Sequence, residues 1–423
     1  MKPKIQSVKG TRDFYPEQMA LRNWLYANMK AAAQMFGYQE YDGPFIETLD
    51  LYAAKSGEEL VKEQSFVFND RGGDQVALRP ELTPSLARMV AARQAQLPRP
   101  IRWWSFGPFW RYERPQKGRS REFFQWNADL LGVESPAADA ELAAVAATFF
   151  RLIGFTPEEV KLQFNNRRLM DAEVAALGLA DKKASIFRLI DRRDKMSGEA
   201  WESYAAELGV GPTQLDGLKA LLANRDLWRN SDECLAFVEA AGALGIGDYL
   251  EFEPTVVRGL DYYTGTVLEA RDREGEFRAI LGGGRYDNLV ADVGGDRLSG
   301  VGFAMGDVVI ALMAQKYGKV PPLRPSPAEA LVTVFDKAGL AESLRLASEL
   351  RAAGVRAEWY PEAVKLEKQL KYADAAGVRF ALILGPDEAA QGEVTLKDLQ
   401  NRSQAALPRA QIAAEIRRRA ESG

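Results

Sequence analysis

The stretch Ser105–Gly132, SFGPFWRYERPQKGRSREFFQWNADLLG, decides how the rest of the chain is read. Both ends are aromatic and strand-like, and between them lie Arg111, Glu113, Arg114, Lys117, Arg119, Arg121 and Glu122. Two such arms form a hairpin whose apolar residues are buried while its cationic, hydrogen-bonding tip can hold an anion. Taken alone, the stretch reads first as a solvated, charged β-hairpin, and the chain around it shifts that balance.

A chain of 423 residues exceeds one ordinary core, so two or three domains are expected. Hydrophobic residues at 47% and charged residues at 27% describe a soluble globular protein. No apolar run approaches the ~20 residues that cross a bilayer. The opening MKPKIQSVKGTRDFYP lacks the apolar core of a signal peptide. The single cysteine, Cys234, leaves no intramolecular disulfide and fits a reducing compartment. A cytoplasmic protein with no membrane partner is expected. The net charge of −4 argues against an overall basic surface but permits a local basic patch. There is no histidine at all. That removes Ser-His-Asp triads, Cys-His pairs and histidine-ligated zinc. Acid, base and ligand roles fall to carboxylate, Tyr, Lys, Arg or substrate, and Mg2+ on carboxylate and phosphate oxygens is the metal chemistry left open. No protein metal ligands are assigned.

Working outward from the hairpin, Pro16 and Glu17 open an amphipathic helix closed by Gly37. YDGPFIE follows a short strand, and FVFNDRGGDQVALRP reads as a hairpin turning at Gly72 and Gly73. Thr83 and Pro84 start a helix with Thr83 as its N-cap, and Ser135 and Pro136 start a long alanine-rich one. From about 167 to 245 only short helices are legible, which marks a helical insertion. SGVGFAMGDVVIALMAQKYG reads as a Gly-rich turn running into a helix. The proline-rich KVPPLRPSP, Lys319–Pro327, is a linker. Beyond it, alternating strands and helices imply a small α/β domain with a mostly parallel sheet.

Four clusters can carry chemistry: the hairpin, LRPELTP, VVRGLDYYTG and GGGRYDN. In LRPELTP, Glu81 and Thr83 point the same way if the segment is extended, making either an ammonium cradle or a helix cap. The second glycine-rich loop brings Arg258, Asp261, Tyr262 and Tyr263 together, or is a loop packed by its aromatics. Three glycines before Arg285 and Tyr286 mark a close backbone approach and suit a small polar ligand. Gly300, Gly302 and Gly306 have the wrong spacing for a dinucleotide fingerprint, and GxxxxGK[ST] is absent. A chain without histidine also lacks the HIGH tetrad of class I aminoacyl-tRNA synthetases.

At this point the sequence resembles the histidyl-tRNA synthetases, class II aminoacyl-tRNA synthetases, across nearly its whole length. KGTRDFYP is similar to the family's N-terminal signature, YDGPFIE to motif 1 and the opening hairpin to motif 2. LRPELTP, RGLDYY and GGGRYD resemble its amino-acid-binding segments, and the last hundred residues its anticodon-binding domain. The resemblance implies an α+β fold: a class II synthetase core of six antiparallel strands over 1–325 with the insertion at about 167–245, and an α/β anticodon-binding domain over 328–423. It implies a homodimer, with Pro44 at the interface, that joins L-histidine to tRNA(His) through a histidyl-adenylate, with ATP as substrate and Mg2+ as cofactor. By the same resemblance, Arg111 and Arg258 are catalytic, and Arg111, Glu113, Arg119 and Arg258 bind ATP. Glu81, Leu82, Thr83, Gln125, Asp129, Tyr262, Tyr263 and Tyr286 bind histidine, with Asp129 on the imidazole. The loop Arg114–Ser120 approaches the tRNA acceptor end. Lys365, Lys368 and Lys371 form either a phosphate track or a solvated charge face.

One departure stands out. In AMGDVVIAL, Val308 and Val309 fall where the family's motif 3 has an acid and an arginine that covers the nucleotide. Either another cation, Arg119, Arg121 or Arg297, takes that place, or nucleotide binding is weakened. The rival reading is a non-catalytic paralogue resembling the regulatory subunit of ATP phosphoribosyltransferase in histidine biosynthesis. Those relatives typically lack the anticodon domain and the Arg258-type residue, both of which this chain keeps.

Overall fold

The computed structural model describes residues 5–53, 64–114, 118–258 and 262–421. Two compact units emerge: Arg22–Val320 with the N-terminal residues to Asp13, and Pro321–Gly423 with Phe14–Leu21.

Strands of the first unit are β1 (Gln39–Glu40), β2 (Ile46–Thr48), β3 (Phe66–Asn69), β4 (Gln75–Leu78), β5 (Ile101–Trp110), β6 (Glu122–Leu131), β7 (Val160–Asn166), β8 (Leu250–Phe252), β9 (Thr266–Asp272), β10 (Leu281–Tyr286) and β11 (Gly300–Gly306). Eight form one sheet in the order β1-β5-β6-β11-β10-β9-β7-β8. The inner six pair antiparallel, as the family core requires, and short β1 and β8 add parallel edges. The arms of the hairpin within Ser105–Gly132 belong to β5 and β6, paired from Ile101↔Leu131 to Trp110↔Glu122. β2, β4 and β3 make a separate three-stranded sheet, and the turn at Gly72 and Gly73 joins β3 to β4 as expected.

The segment expected as a Gly-rich turn is instead β11, in the middle of the large sheet between β6 and β10. Its alternation is real but masked. Val301, Phe303 and Met305 enter the core, while the other face carries only Gly300, Gly302, Ala304 and Gly306. The helix Asp307–Lys316 follows directly.

Behind the sheet, the helix Pro136–Leu152 is mostly buried and is capped by Ser135, whose side chain accepts from Ala138 N at 3.2 Å. Thr83 does not cap its helix. It is the first helical residue, Leu82 holds the cap position, and no side-chain cap bond forms. Between Asn166 and Leu250 the described chain contains helices and no strand, as the texture of the sequence predicts.

The second unit contains β12 (Ala330–Val332), β13 (Ala357–Trp359), β14 (Phe380–Ile383), β15 (Glu393–Asp398) and β16 (Ser403–Pro408), ordered β13-β12-β14-β15-β16. β12 is parallel to both neighbours, but β14, β15 and β16 pair antiparallel. The expectation of a mostly parallel sheet is therefore corrected to a mixed one. The connections Leu384–Gly392 and Leu399–Arg402 are shorter than the dozen or so residues of a parallel crossover, so the chain must double back.

Candidate functional site

Period-two alternation along β6 sends Trp126, Ala128 and Leu130 into the core and Gln125, Asn127 and Asp129 to the opposite face. Beside them the small face of β11 leaves bare backbone. Asp129 pairs in register with Gly302, where a Cβ would collide with its carboxylate. On β10, a Cβ at Gly282 would occupy the space of the Arg258 guanidinium. The expected close approach at the triple glycine is real, and it accommodates a neighbouring side chain, not a turn.

Two cavities open on this face. The smaller, about 120 Å³, is lined by Glu81, Thr83, Asn127, Tyr262, Tyr263 and Tyr286 among others. The larger, about 770 Å³, is lined by Glu113, Arg119, Arg271, Arg278, Val308 and Val309 among others. Arg111, Gln125 and Arg258 line both, so two guanidinium groups stand where the cavities meet. The larger volume lies within the ~300–1,000 Å³ usual for small-molecule sites; the smaller is too small for a nucleotide.

In the smaller cavity, Tyr262 Oη donates to Glu81 Oε2 at 3.3 Å, and its ring lies 4.9 Å from that of Tyr263. Tyr286 Oη donates to Asp129 Oδ1 at 2.7 Å. Asp129 is 3% exposed, and burial pushes its pKa up to about 7, with the Tyr286 hydroxyl opposing the shift. Asp129 is not itself among the lining residues; it reaches the cavity through Tyr286. Leu82 is buried in the core and lines neither cavity. Asn127, which the reading of the sequence missed, lines the cavity, and its buried Nδ2 is unbonded among the described residues. The alternation Gln125, Asn127, Asp129 was the signal that could have found it.

Arg111 Nε donates to Pro80 O at 2.9 Å, and its guanidinium stands over the Phe123 ring at 5.3 Å. Burial lowers its pKa, and among the described residues no carboxylate lies within ion-pair distance. A half-buried cation with no ion pair among the described residues is relieved by an incoming anion. Arg258 adopts φ 55, a left-handed backbone that costs a non-glycine residue roughly 1–3 kcal/mol. Its Nη1 bonds Glu269 at 2.6 Å, Arg271 shares that carboxylate, and the buried Arg258 Nε has no partner among the described residues. Glu113 bonds Arg119 at 3.0 Å.

Of the three cations considered for covering the nucleotide, only Arg119 lines the larger cavity. Arg121 packs over the Tyr112 ring at 4.0 Å, and Arg297 pairs with Glu134 at 3.3 Å. Arg285, expected beside a small polar ligand, is instead buried at 3% exposure, bonded to Asp139, Ser299 and two backbone carbonyls. It ties β10 to the helix Pro136–Leu152. Asp261 and Pro115–Lys117 lie outside the described residues.

Known proteins resemble this chain over nearly its whole length. Residues 10–307 match the family model of histidyl-tRNA synthetase, and residues 308–419 match that of an anticodon binding domain. The histidine–tRNA ligase of Opitutus terrae is 38% identical over an alignment of 430 residues that covers 98% of both chains. That of Leptospira biflexa is 37% identical over 418 residues, 94% of each chain. Among solved structures, histidyl-tRNA synthetase from Nostoc sp. has the same fold, with TM-score 0.83 at 24% identity over 99% of this chain and 100% of that one.

Proposed function

The chain belongs to the histidyl-tRNA synthetase family, and from that premise we propose that it charges tRNA(His) with histidine in two steps on the paired cavities. The carrying observation is the pair Arg111 and Arg258 at the junction of a nucleotide-sized cleft and a small cavity whose Tyr286 wall is bonded to a buried acid. Histidine occupies the smaller cavity, with its ammonium at Glu81, Thr83 and Gln125 and its imidazole toward Tyr263 and the Asp129–Tyr286 pair. ATP fills the larger cavity, adenine toward Glu113.

A carboxylate oxygen of histidine attacks the α-phosphorus, a new C–O–P linkage forms, and pyrophosphate leaves with the electrons of the broken P–O bond. No proton needs to move, so a chain without imidazole lacks nothing for this step. Arg111 and Arg258 stabilise the charge that builds on the phosphoryl oxygens. In the second step a terminal ribose hydroxyl of tRNA attacks the adenylate carbonyl, AMP departs, and the adenylate phosphate accepts the hydroxyl proton. Bound Mg2+ would supply charge neutralisation for the phosphates, and Glu113 and Glu269 on the cleft wall, each paired with arginine here, are the carboxylates that would hold it.

A buried acid is suited to selecting histidine, because a site built to hydrogen-bond its substrate rejects analogues without the partner. The catalytic domain spans 1–325 and the anticodon-binding domain 328–423. In the latter, Lys365, Lys368 and Lys371 occupy an exposed face with Tyr372, the mixture of cation and aromatic ring that grips single-stranded RNA. No helix among the described residues is long and apolar enough to cross a membrane, and we place the enzyme in the cytoplasm as a homodimer. Against the regulatory reading stand Arg258 at the shared wall and the anticodon-binding match over 308–419.

Histidine-dependent exchange of labelled pyrophosphate into ATP tests the reading. The wild type should exchange, and Arg111→Ala or Arg258→Ala should lower kcat by roughly 10²–10³. A wild type that exchanges nothing overturns the proposal in favour of a non-catalytic role.

A further inference from the structure

The cations facing the large cleft differ in what already neutralises them. Arg258 and Arg271 share Glu269, Arg119 bonds Glu113, and Lys195 bonds Asp191 at 2.7 Å. Arg278 lines the same cleft, yet among the described residues its guanidinium makes no ion pair and no hydrogen bond. Its electrostatic neighbours are Arg119, which repels it, and Glu113, which Arg119 already holds. Two arginines with one carboxylate between them leave an uncompensated positive charge over the cavity.

The position of Arg278 gives that charge a direction. A Cβ on Gly118 would lie 3.9 Å from Arg278 Cδ and 3.9 Å from Val309 Cγ2. The Arg278 stem therefore runs between the tip of the β5–β6 hairpin and the first turn of the helix Asp307–Lys316, where Val308 and Val309 supply no charge. The small cavity does not include Arg278, whereas Arg111 and Arg258 belong to both. A triphosphate whose α-phosphate sits at Arg111 and Arg258 must extend its remaining phosphates into the large cleft. There the guanidinium fork matches phosphate oxygens in pairs.

We infer that Arg278 is a nucleotide-binding residue of this enzyme, taking the β- and γ-phosphates of ATP in the space that Val308 and Val309 leave without a cation. The inference rests on the reading of the cleft as an ATP site. It goes beyond the residues that the family motifs identify, because Arg278 lies in none of them.

Two measurements on the full-length protein test it: equilibrium binding of ATP, and pyrophosphate exchange with ATP varied at saturating histidine. Arg278→Ala should raise both the ATP Kd and the ATP KM roughly tenfold or more, leaving the histidine KM within twofold. Arg278→Lys should fall between. Adding Val309→Arg to the Arg278→Ala protein should recover part of the ATP affinity, since it returns a guanidinium to the same space. An ATP Kd for Arg278→Ala within twofold of wild type overturns the inference, as does a histidine KM that rises in step with that for ATP. If the wild type binds ATP but exchanges no pyrophosphate, the ligase reading falls while the binding comparison still decides Arg278. A wild type that binds no ATP overturns both.

Discussion

Asp129 shows how much of this site is set by the surroundings of single residues. An unfolded chain releases its proton near 3.8, whereas the folded chain keeps it to about 7. Between those pH values the native state binds more protons than the unfolded state, so raising the pH removes stability. Between pH 5 and 8 this amounts to roughly 3 kcal/mol at 1.36 kcal/mol per unit. Asp129→Asn cannot titrate. Urea unfolding of the ligand-free proteins should therefore show the variant losing less stability than wild type across that range, and equal slopes would contradict a buried, protonated Asp129. With histidine bound as proposed, its imidazole N–H at the Asp129–Tyr286 pair favours the ionised carboxylate, which works in the opposite sense. Histidine's stabilisation of the wild type should grow as pH rises through 7. The residue's position was legible from motif 2 and its environment was not: burial depends on Tyr286 and Gly302, which arrive from strands far along the chain. Arg278 was illegible for a related reason, since it becomes conspicuous only once the neighbouring arginines are seen to have partners.

Among elements, the two helix starts separate a stabilising cap from a cavity-facing side chain. Ser135 caps a buried helix through Ala138 N, so Ser135→Ala should lower unfolding free energy by about 1 kcal/mol, read as a shift in the denaturant midpoint, with little effect on histidine KM. Thr83 makes no cap bond and lines the small cavity. Thr83→Ala should do the reverse, raising histidine KM while the midpoint barely moves. If Thr83→Ala loses stability and not affinity, the cap reading was right after all. Sequence pattern located both helices because each has a proline in its first turn, but it could not say where the Thr83 hydroxyl points. β11 shows the complementary failure: three glycines and an alanine on one face imitate a turn, and only the pairing with β6 and β10 reveals a central strand. The mixed sheet of the second unit is legible in principle, since its last two connections are too short for crossovers.

For the whole molecule, the question is what covers the small sheet β2-β4-β3. Phe45, Ile46, Phe68 and Tyr112, on and beside it, are all 44% exposed or more. Large apolar side chains gathered in one region of a protein surface mark an interaction site, and a second copy of the chain is the proposed occupant. This patch is wired to the site by Arg79. Fully buried, Arg79 stands between the Phe45 and Phe109 rings at 4.5 and 4.6 Å, and it bonds Asp42, Gly43 O and Pro108 O. The next two residues are Pro80, whose carbonyl holds Arg111, and Glu81 of the small cavity. Displacing Phe45 thus acts on Arg111 through one intervening side chain. Sedimentation velocity should give the wild type twice the 46.9 kDa chain mass, and Ile46→Asp with Phe68→Asp should give the single-chain mass. The monomer should also lose kcat in pyrophosphate exchange, as the Arg79 anchor loosens and Arg111 loses its fixed position. A monomer with undiminished exchange would sever the interface from the site, and a wild type sedimenting at the single-chain mass would remove the dimer itself.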